Sequence, residues 1–276
     1  MRVVLIGDET GLLTLTNSLN DERIKIVAII FNQERIAAED VASRLSKEIN
    51  CELIGQPTDK KSDKYEAFVC RVRALEAELA VCCSYDLILG SDILALFNKG
   101  VYNLHGALLP KYRGANVLNW VLINGEEKTG MTIHLMESTV DTGPIALQEE
   151  VEISFDDTAL SLRDKLNKIS LTLLDRFWKD VINNKICLKV QNENEATYVK
   201  RRKPEDGYFE WNQPTKEIYN KIRALVKPWP GAWYLYNGER IVIDEFMDFD
   251  KVEQMRNKIL NEKEGTERDG LCNTST

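Results

Sequence analysis

Arg2-Val3-Val4-Leu5-Ile6 is an unbroken apolar run after its first residue, closed by Gly7. Apolar side chains at successive positions, rather than at every second one, mark a strand buried on both faces. The same signature returns at Ile24-Lys25-Ile26-Val27-Ala28-Ile29-Ile30-Phe31, at 51–54 and at Leu79-Ala80-Val81-Cys82-Cys83. Between these runs the spacing is helical: over 11–20, over 34–48 with Ile36, Val41, Leu45 and Ile49 as its apolar stripe, and over 64–76. This alternation predicts an α/β fold, a Rossmann-like open parallel sheet with helices on both sides. Gly7-x-x-x-Gly11 is only a fragment of a dinucleotide fingerprint and reads as a tight turn entering a helix, not as a nicotinamide site.

Past residue 100 the pattern loosens. Val101-Tyr102-Asn103 reads as a short strand, 115–124 as a helix, and 129–136 and 145–151 as strands. A long helix is predicted over 158–183, with Leu160, Leu162, Leu166, Ile169, Leu173, Leu174 and Phe177 on one face. Residues 190–215 are polar and read as a linker or an ordered loop. A helix near 215–226 follows, then a hairpin from Ala232 to Ile243 whose turn is Asn237-Gly238. We therefore expect a catalytic domain over 1–200, a small β-rich, open-barrel-like domain over 201–250, and a charged helix with a disordered tail over 251–276, the tail from residue 266.

With 276 residues, 43% hydrophobic and 29% charged, the composition is that of an ordinary globular protein. The net charge of −8 works against broad binding to nucleic acid or to an anionic membrane, both of which call for a basic face. No zinc-type cysteine spacing occurs and there are two histidines, so no metal is expected. Cys82 and Cys83 sit in an apolar run and read as small core residues. The opening run is too short for a signal peptide, and no apolar stretch approaches the roughly 20 residues of a membrane helix. A cytoplasmic protein is expected.

The chemistry lies in Asn103-Leu104-His105-Gly106-Ala107-Leu108-Leu109-Pro110-Lys111-Tyr112-Arg113-Gly114 and in Ser138-Thr139-Val140-Asp141-Thr142-Gly143-Pro144. Asn103 and His105, two apart at the end of a strand, leave on one face. Ligands of open α/β sheets bind at the carboxyl ends of strands. Asp141, in a glycine-bounded loop after another strand, could reach the imidazole. An amide donates to a developing oxyanion without titrating. A histidine transfers protons in the working pH range, and a carboxylate beside it fixes its tautomer. Singly each residue has an ordinary structural explanation; together they match an acyl transfer to an amine. His134, mid-strand in Thr132-Ile133-His134-Leu135, reads as a buried structural residue.

Asn-x-His, then Leu-Leu-Pro-x-Tyr-Arg-Gly, then Asp-x-Gly about 36 residues on, resembles the signature of the folate-dependent formyltransferases over residues 1 to about 245. The resemblance implies a catalytic triad of Asn103, His105 and Asp141, with N10-formyltetrahydrofolate as co-substrate. It also implies a folate-contacting loop at Ser84-Tyr85-Asp86-Leu87-Ile88-Leu89, with Val140 nearby. Lys111, Tyr112, Arg113 and Gly114 are then expected on the substrate side.

The unit after 205 sets the chain apart from the single-domain purine enzyme of this family, and Pro228-Trp229-Pro230-Gly231-Ala232 looks like the entry to a C-terminal barrel. The stretch 103–130, with Leu118-Asn119-Trp120-Val121-Leu122, is similar to the formyltransferase domain acting on UDP-4-amino-4-deoxy-L-arabinose. Arg201-Arg202-x-Pro-Glu-Asp-Gly resembles the segment near its nucleotide-sugar site. Guanidinium groups suit a diphosphate, although a solvated charge run explains the pair equally well. Ala115 stands where that relative has arginine, and no counterpart of its dehydrogenase domain is expected. The expected acceptor is thus the amine of another nucleotide-linked amino sugar used in surface-glycan synthesis. No nucleic acid or membrane partner is expected, and the C-terminal unit serves either substrate binding or homodimer formation. The alternatives are a methionyl-tRNA formyltransferase, a formyl-folate hydrolase and a non-enzymatic folate-binding module.

Overall fold

The computed structural model describes the backbone over residues 1–272 and side chains through residue 262. The tail expected from residue 266 lies outside the described side chains and, beyond 272, outside the described backbone. In chain order the first elements are β1 (Arg2–Gly7), α1 (Glu9–Asn17), β2 (Lys25–Asn32), α2 (Ile36–Ile49), β3 (Glu52–Gln56), α3 (Asp63–Ala74), β4 (Leu79–Cys83), α4 (Ser91–Leu94) and β5 (Val101–His105). They continue with β6 (Arg113–Gly114), α5 (Val117–Ile123), β7 (Lys128–Leu135), β8 (Ile145–Glu152), α6 (Ala159–Ile182) and β9 (Tyr198–Val199). The last are α7 (Thr215–Ala224), β10 (Ala232–Tyr236), β11 (Glu239–Ile243) and α8 (Phe249–Cys272).

Seven strands form one sheet in the order β3-β2-β1-β4-β5-β7-β8. The pairs β2–β3, β1–β2, β1–β4 and β4–β5 are parallel, whereas β5–β7 is antiparallel. Val3, Val4, Leu5 and Ile6 are all fully buried, as a strand covered on both faces requires. The chain reverses its direction of build between β1 and β4, and the loops leaving those two strands meet there, with Asp8 N–H donating to the Ser84 carbonyl at 3.2 Å. Such a switch point is where open α/β sheets open a crevice.

Gly7 and Gly11 prove to be packing glycines. A Cβ at Gly11 would lie 2.0 Å from the Cys83 carbonyl oxygen, and one at Gly7 2.6 Å from the same atom. Asp8 caps α1 by accepting from Gly11 N–H at 2.8 Å, so a carboxylate already fills the helix entrance. The expected stripe on α2 holds at Leu45 and is corrected at Ile36. Ile36 is 77% exposed, and the buried residues are Ala38, Ala42, Leu45 and Ser46, whose small side chains let the helix lie close on the sheet.

The chain divides into two compact units, one of 1–114, 130–151 and 165–198, the other of 115–129, 152–164 and 199–276. In the first, Tyr102 and Leu104 of β5 point away from the face that carries Asn103 and His105. Tyr102 meets Phe177 of α6 edge-on, ring centroids 4.9 Å apart, and Phe177 meets Trp178 at 5.4 Å. In the second, Asn119 of α5 donates to the Ala224 carbonyl of α7 at 2.6 Å, and Phe209, Trp211 and Tyr234 form an aromatic cluster. The β10–β11 hairpin turns at Asn237 and Gly238, both with positive φ, as its type requires. Among the described residues no helix is long and apolar enough to cross a membrane.

Phe177, with no exposure, backs the strand that carries the candidate site. Phe177→Ala should lower the unfolding free energy by about 3–5 kcal/mol, read by urea denaturation. An unchanged midpoint would contradict this packing.

Candidate active site

The antiparallel register of β5 and β7 sets Asn103 opposite His134 and His105 opposite Thr132. Directly paired residues in a sheet share a face, so four polar side chains stand together on the side of the sheet away from Phe177. Because β7 runs against β5, the loop after β7 leaves from the end where β5 begins, with Met136 N–H bonded to the Val101 carbonyl at 2.7 Å. The loop then doubles back. Asp141 comes to rest with Oδ2 3.5 Å from His105 Nδ1 and Oδ1 3.3 Å from His134 Nε2. The turn needs Gly143, where a Cβ would lie 1.9 Å from the Leu135 carbonyl oxygen.

Each imidazole faces an acceptor on both nitrogens. His105 Nε2 donates to the Tyr112 carbonyl at 2.8 Å while Nδ1 looks at Asp141. His134 Nδ1 donates to the Leu135 carbonyl at 3.0 Å, and its Nε2 faces both Asp141 and the Asn103 amide, 3.3 Å away. A neutral ring has one proton for two acceptors; a second proton would satisfy both. Burial pushes the His105 pKa below its usual value, opposed by the Asp141 charge and reinforced by His134. Burial also works to raise the Asp141 carboxyl, but His134, His105 and the Gly114 N–H outweigh it and hold the pKa at about 2. The site is thus a buried carboxylate shared by two imidazoles and able to support one added proton. His134, expected to be structural, belongs to this cluster. Its pairing with Asn103 is a matter of register, and the only signal in the sequence is a polar residue in the middle of a buried strand.

The stretch expected on the substrate side divides. Lys111 is exposed, whereas Tyr112 is buried, with φ 59, and serves His105 through its carbonyl. Gly114 N–H donates to Asp141 Oδ2 at 2.9 Å. Arg113 is a correction. Its side chain has no exposure and is held by Gln191, by both oxygens of Glu193 at 2.6 and 2.8 Å, and by the Tyr198 hydroxyl at 2.7 Å. Its guanidinium is consumed inside the protein and is not offered to a ligand. The polar segment read as a linker or an ordered loop is ordered here and supplies that cage, pairing through Arg113 N–H to the Thr197 carbonyl at 2.8 Å. Arg201 and Arg202 lie in the other compact unit. Arg201 is exposed; Arg202 is half-buried, and its backbone N–H donates to Asn116 Oδ1 at 3.0 Å.

The loop after β4 also divides. Leu89 is core, Tyr85 packs on that core with its hydroxyl on Gln56 at 2.9 Å, and Asp86 accepts from Asn32 at 3.1 Å. Ser84 is exposed and holds φ 51, Leu87 is half-exposed, and Ile88 is 63% exposed. Val140, on the loop of Asp141, is 51% exposed. The exposed aliphatic side chains of Ile88 and Val140 offer apolar surface of the kind on which a flat heterocycle such as a pterin can lie. Cys82 and Cys83 are buried, and burial pushes both thiols up, Cys83 to about 12, as inert core residues. Among the described residues no group of three or more His, Cys, Asp or Glu could hold a metal ion.

Asp141→Asn removes the charge that supports the His105 imidazolium against burial. The His105 titration midpoint should therefore move down by about one pH unit. The chain has two histidines, so NMR of isotope-labelled histidine reads this directly, with His105→Ala assigning the signals. A midpoint that rose or stayed in place would contradict the pairing.

Residues 1–176 match the formyl transferase family, and 201–263 its C-terminal domain. The bifunctional polymyxin resistance protein ArnA of Wigglesworthia glossinidia brevipalpis is 42% identical over 177 residues, 64% of this chain and 27% of that protein. The chain thus spans about a quarter of this relative's length. Among solved structures, a 4-N formyltransferase from Francisella tularensis superposes with TM-score 0.73 at 18% identity, covering 90% of this chain and 98% of the other. An N-formyltransferase from Helicobacter canadensis in complex with folinic acid and dTDP-3-aminofucose gives 0.63 at 19%, covering 87% and 85%. At such identities these two likenesses concern the fold, while the sequence match over more than half of its length settles the lineage: the chain belongs to the formyl transferase family.

Proposed function

We propose that this chain transfers the formyl group of N10-formyltetrahydrofolate to the amino group of a nucleotide-linked amino sugar. The observation that carries the reading is the cluster of Asn103, His105, His134 and Asp141 on one face of the sheet, in a chain of this family. The acceptor class is supported by the amino-sugar ligand of the Helicobacter canadensis structure and by the resemblance of the Arg201-Arg202 segment. The net charge of −8 weighs against a tRNA acceptor.

When bound, the folate supplies an activated formyl carbon. Exposed Ile88 and Val140, with the peptide groups around Ser84 and Leu87, would hold it. Asn103, partly exposed, has an amide that can donate to the formyl oxygen as negative charge gathers there. Its contact with His134 at 3.3 Å sets the orientation of that amide. His105, whose pKa burial lowers, can take up the proton that the amine sheds while Asp141 stabilises the imidazolium formed, and can pass that proton to the folate nitrogen as its bond to the formyl carbon breaks. The expressed protein would make formylated sugar for surface-glycan synthesis.

His105→Ala should cut turnover by about 100- to 10,000-fold while leaving the thermal midpoint near wild type. The assay is formyl transfer from N10-formyltetrahydrofolate to a panel of nucleotide-linked amino sugars, with initiator methionyl-tRNA as comparator. Turnover on one sugar that is lost in the variant supports the reading. Near-normal turnover in the variant would remove His105 from the chemistry, and turnover on the tRNA alone would replace the acceptor.

A further inference from the structure

Gln191 lies in the polar stretch after α6 and is 6% exposed. All four hydrogen-bonding positions of its amide are filled. Oε1 accepts from Arg113 Nε at 3.2 Å and Nη2 at 2.9 Å. Nε2 donates to the Asp141 carbonyl at 2.8 Å and to the Gly143 carbonyl at 2.7 Å. One amide therefore grips the backbone of 141–143 at both ends, and its other side rests on a guanidinium with no exposure.

That grip falls where the chain needs it. Asp141 has φ 56, a left-handed conformation uncommon for any residue with a Cβ, although aspartate enters it more readily than most. It persists only where the surroundings over-determine it. This backbone turn is what sends the carboxylate back toward His105, His134 and the Gly114 N–H. Only a side chain with two donors and one acceptor of this reach does the whole task. Glutamate would set a charge against two carbonyl oxygens, asparagine is a methylene short, and methionine has neither donor nor strong acceptor.

We propose that Gln191 is a positioning residue for Asp141, carrying the fixed frame of the buried Arg113 to the 141–143 backbone and so setting the carboxylate between the two imidazoles. Its effect on turnover rests on the transferase reading above; its effect on the geometry does not. Gln191 reaches no reacting atom and acts through Asp141 alone.

The test is Gln191→Met, neutral and of similar volume, in the full chain, with histidine-labelled NMR titration in the absence of any substrate. The groups that face His105 are Asp141, His134 and the Tyr112 carbonyl; in the variant Arg113, next to Tyr112, keeps both oxygens of Glu193 and the Tyr198 hydroxyl. If Asp141 drifts, the His105 midpoint moves down, part or all of the way to that of Asp141→Asn. Turnover should fall by about 10- to 100-fold, in kcat rather than in KM for the formyl donor. A wild-type titration in a folded variant, with or without a lower thermal midpoint, overturns the proposal and leaves Gln191 a stability residue. Should Gln191→Met not fold, Gln191→Asn is read in the same way, and failure of both to fold also overturns it. Because the titration needs no acceptor, a shifted midpoint stands even if formyl transfer is not observed, whereas an unshifted one removes the positioning role and leaves the activity untouched.

Discussion

An ionised carboxylate kept almost out of water sets the terms for everything around it. Burial alone would push the Asp141 carboxyl up, and it is held at about 2 because two imidazoles and a backbone N–H surround it. The requirement is geometric before it is chemical. The partners come from β5, from β7 and from β6, so three separate stretches of chain have to converge on two oxygen atoms. The antiparallel entry of β7 brings His134 opposite Asn103, and the doubling back of the 136–143 loop brings the carboxylate to both rings.

Convergence of this kind needs a rigid reference, and the buried Arg113 supplies it. Its guanidinium is caged by Gln191, Glu193 and Tyr198, and the backbone on either side of it serves the site, through the Tyr112 carbonyl to His105 and the Gly114 N–H to Asp141. A residue read as a ligand contact thus serves as the fixed point from which the site is measured. The same logic explains why non-glycine residues at 112 and 141 hold positive φ, since strained backbone is kept where neighbouring contacts over-determine it.

Several features were legible before any coordinates. The strands buried on both faces at β1, β2 and β4, the Asn-x-His pair leaving one face of β5, and the hairpin at Asn237-Gly238 all follow from patterns a few residues long. The misreadings have a common cause. Ile36 looked like the inner face of α2 because hydrophobicity was counted, whereas Ala38 and Ala42 are buried because they are small. His134 looked structural, Arg113 looked like a ligand contact, and 190–215 read equally as a linker or an ordered loop, because each takes its role from a partner far away in the chain.

By itself, then, the sequence determined the class of sheet and the residue types of the site. Apolar runs and turn residues act through local backbone preference and burial, which a short window contains. Only the tertiary structure decided the direction of β7, the sharing of Asp141 by two histidines, the enclosure of Arg113 and the reach of Gln191 across 50 positions to the Asp141 carbonyl. A hydrogen bond is worth little until donor and acceptor are held within about 3 Å and desolvated together. Which polar groups meet that condition depends on how distant segments pack, and no local pattern carries it.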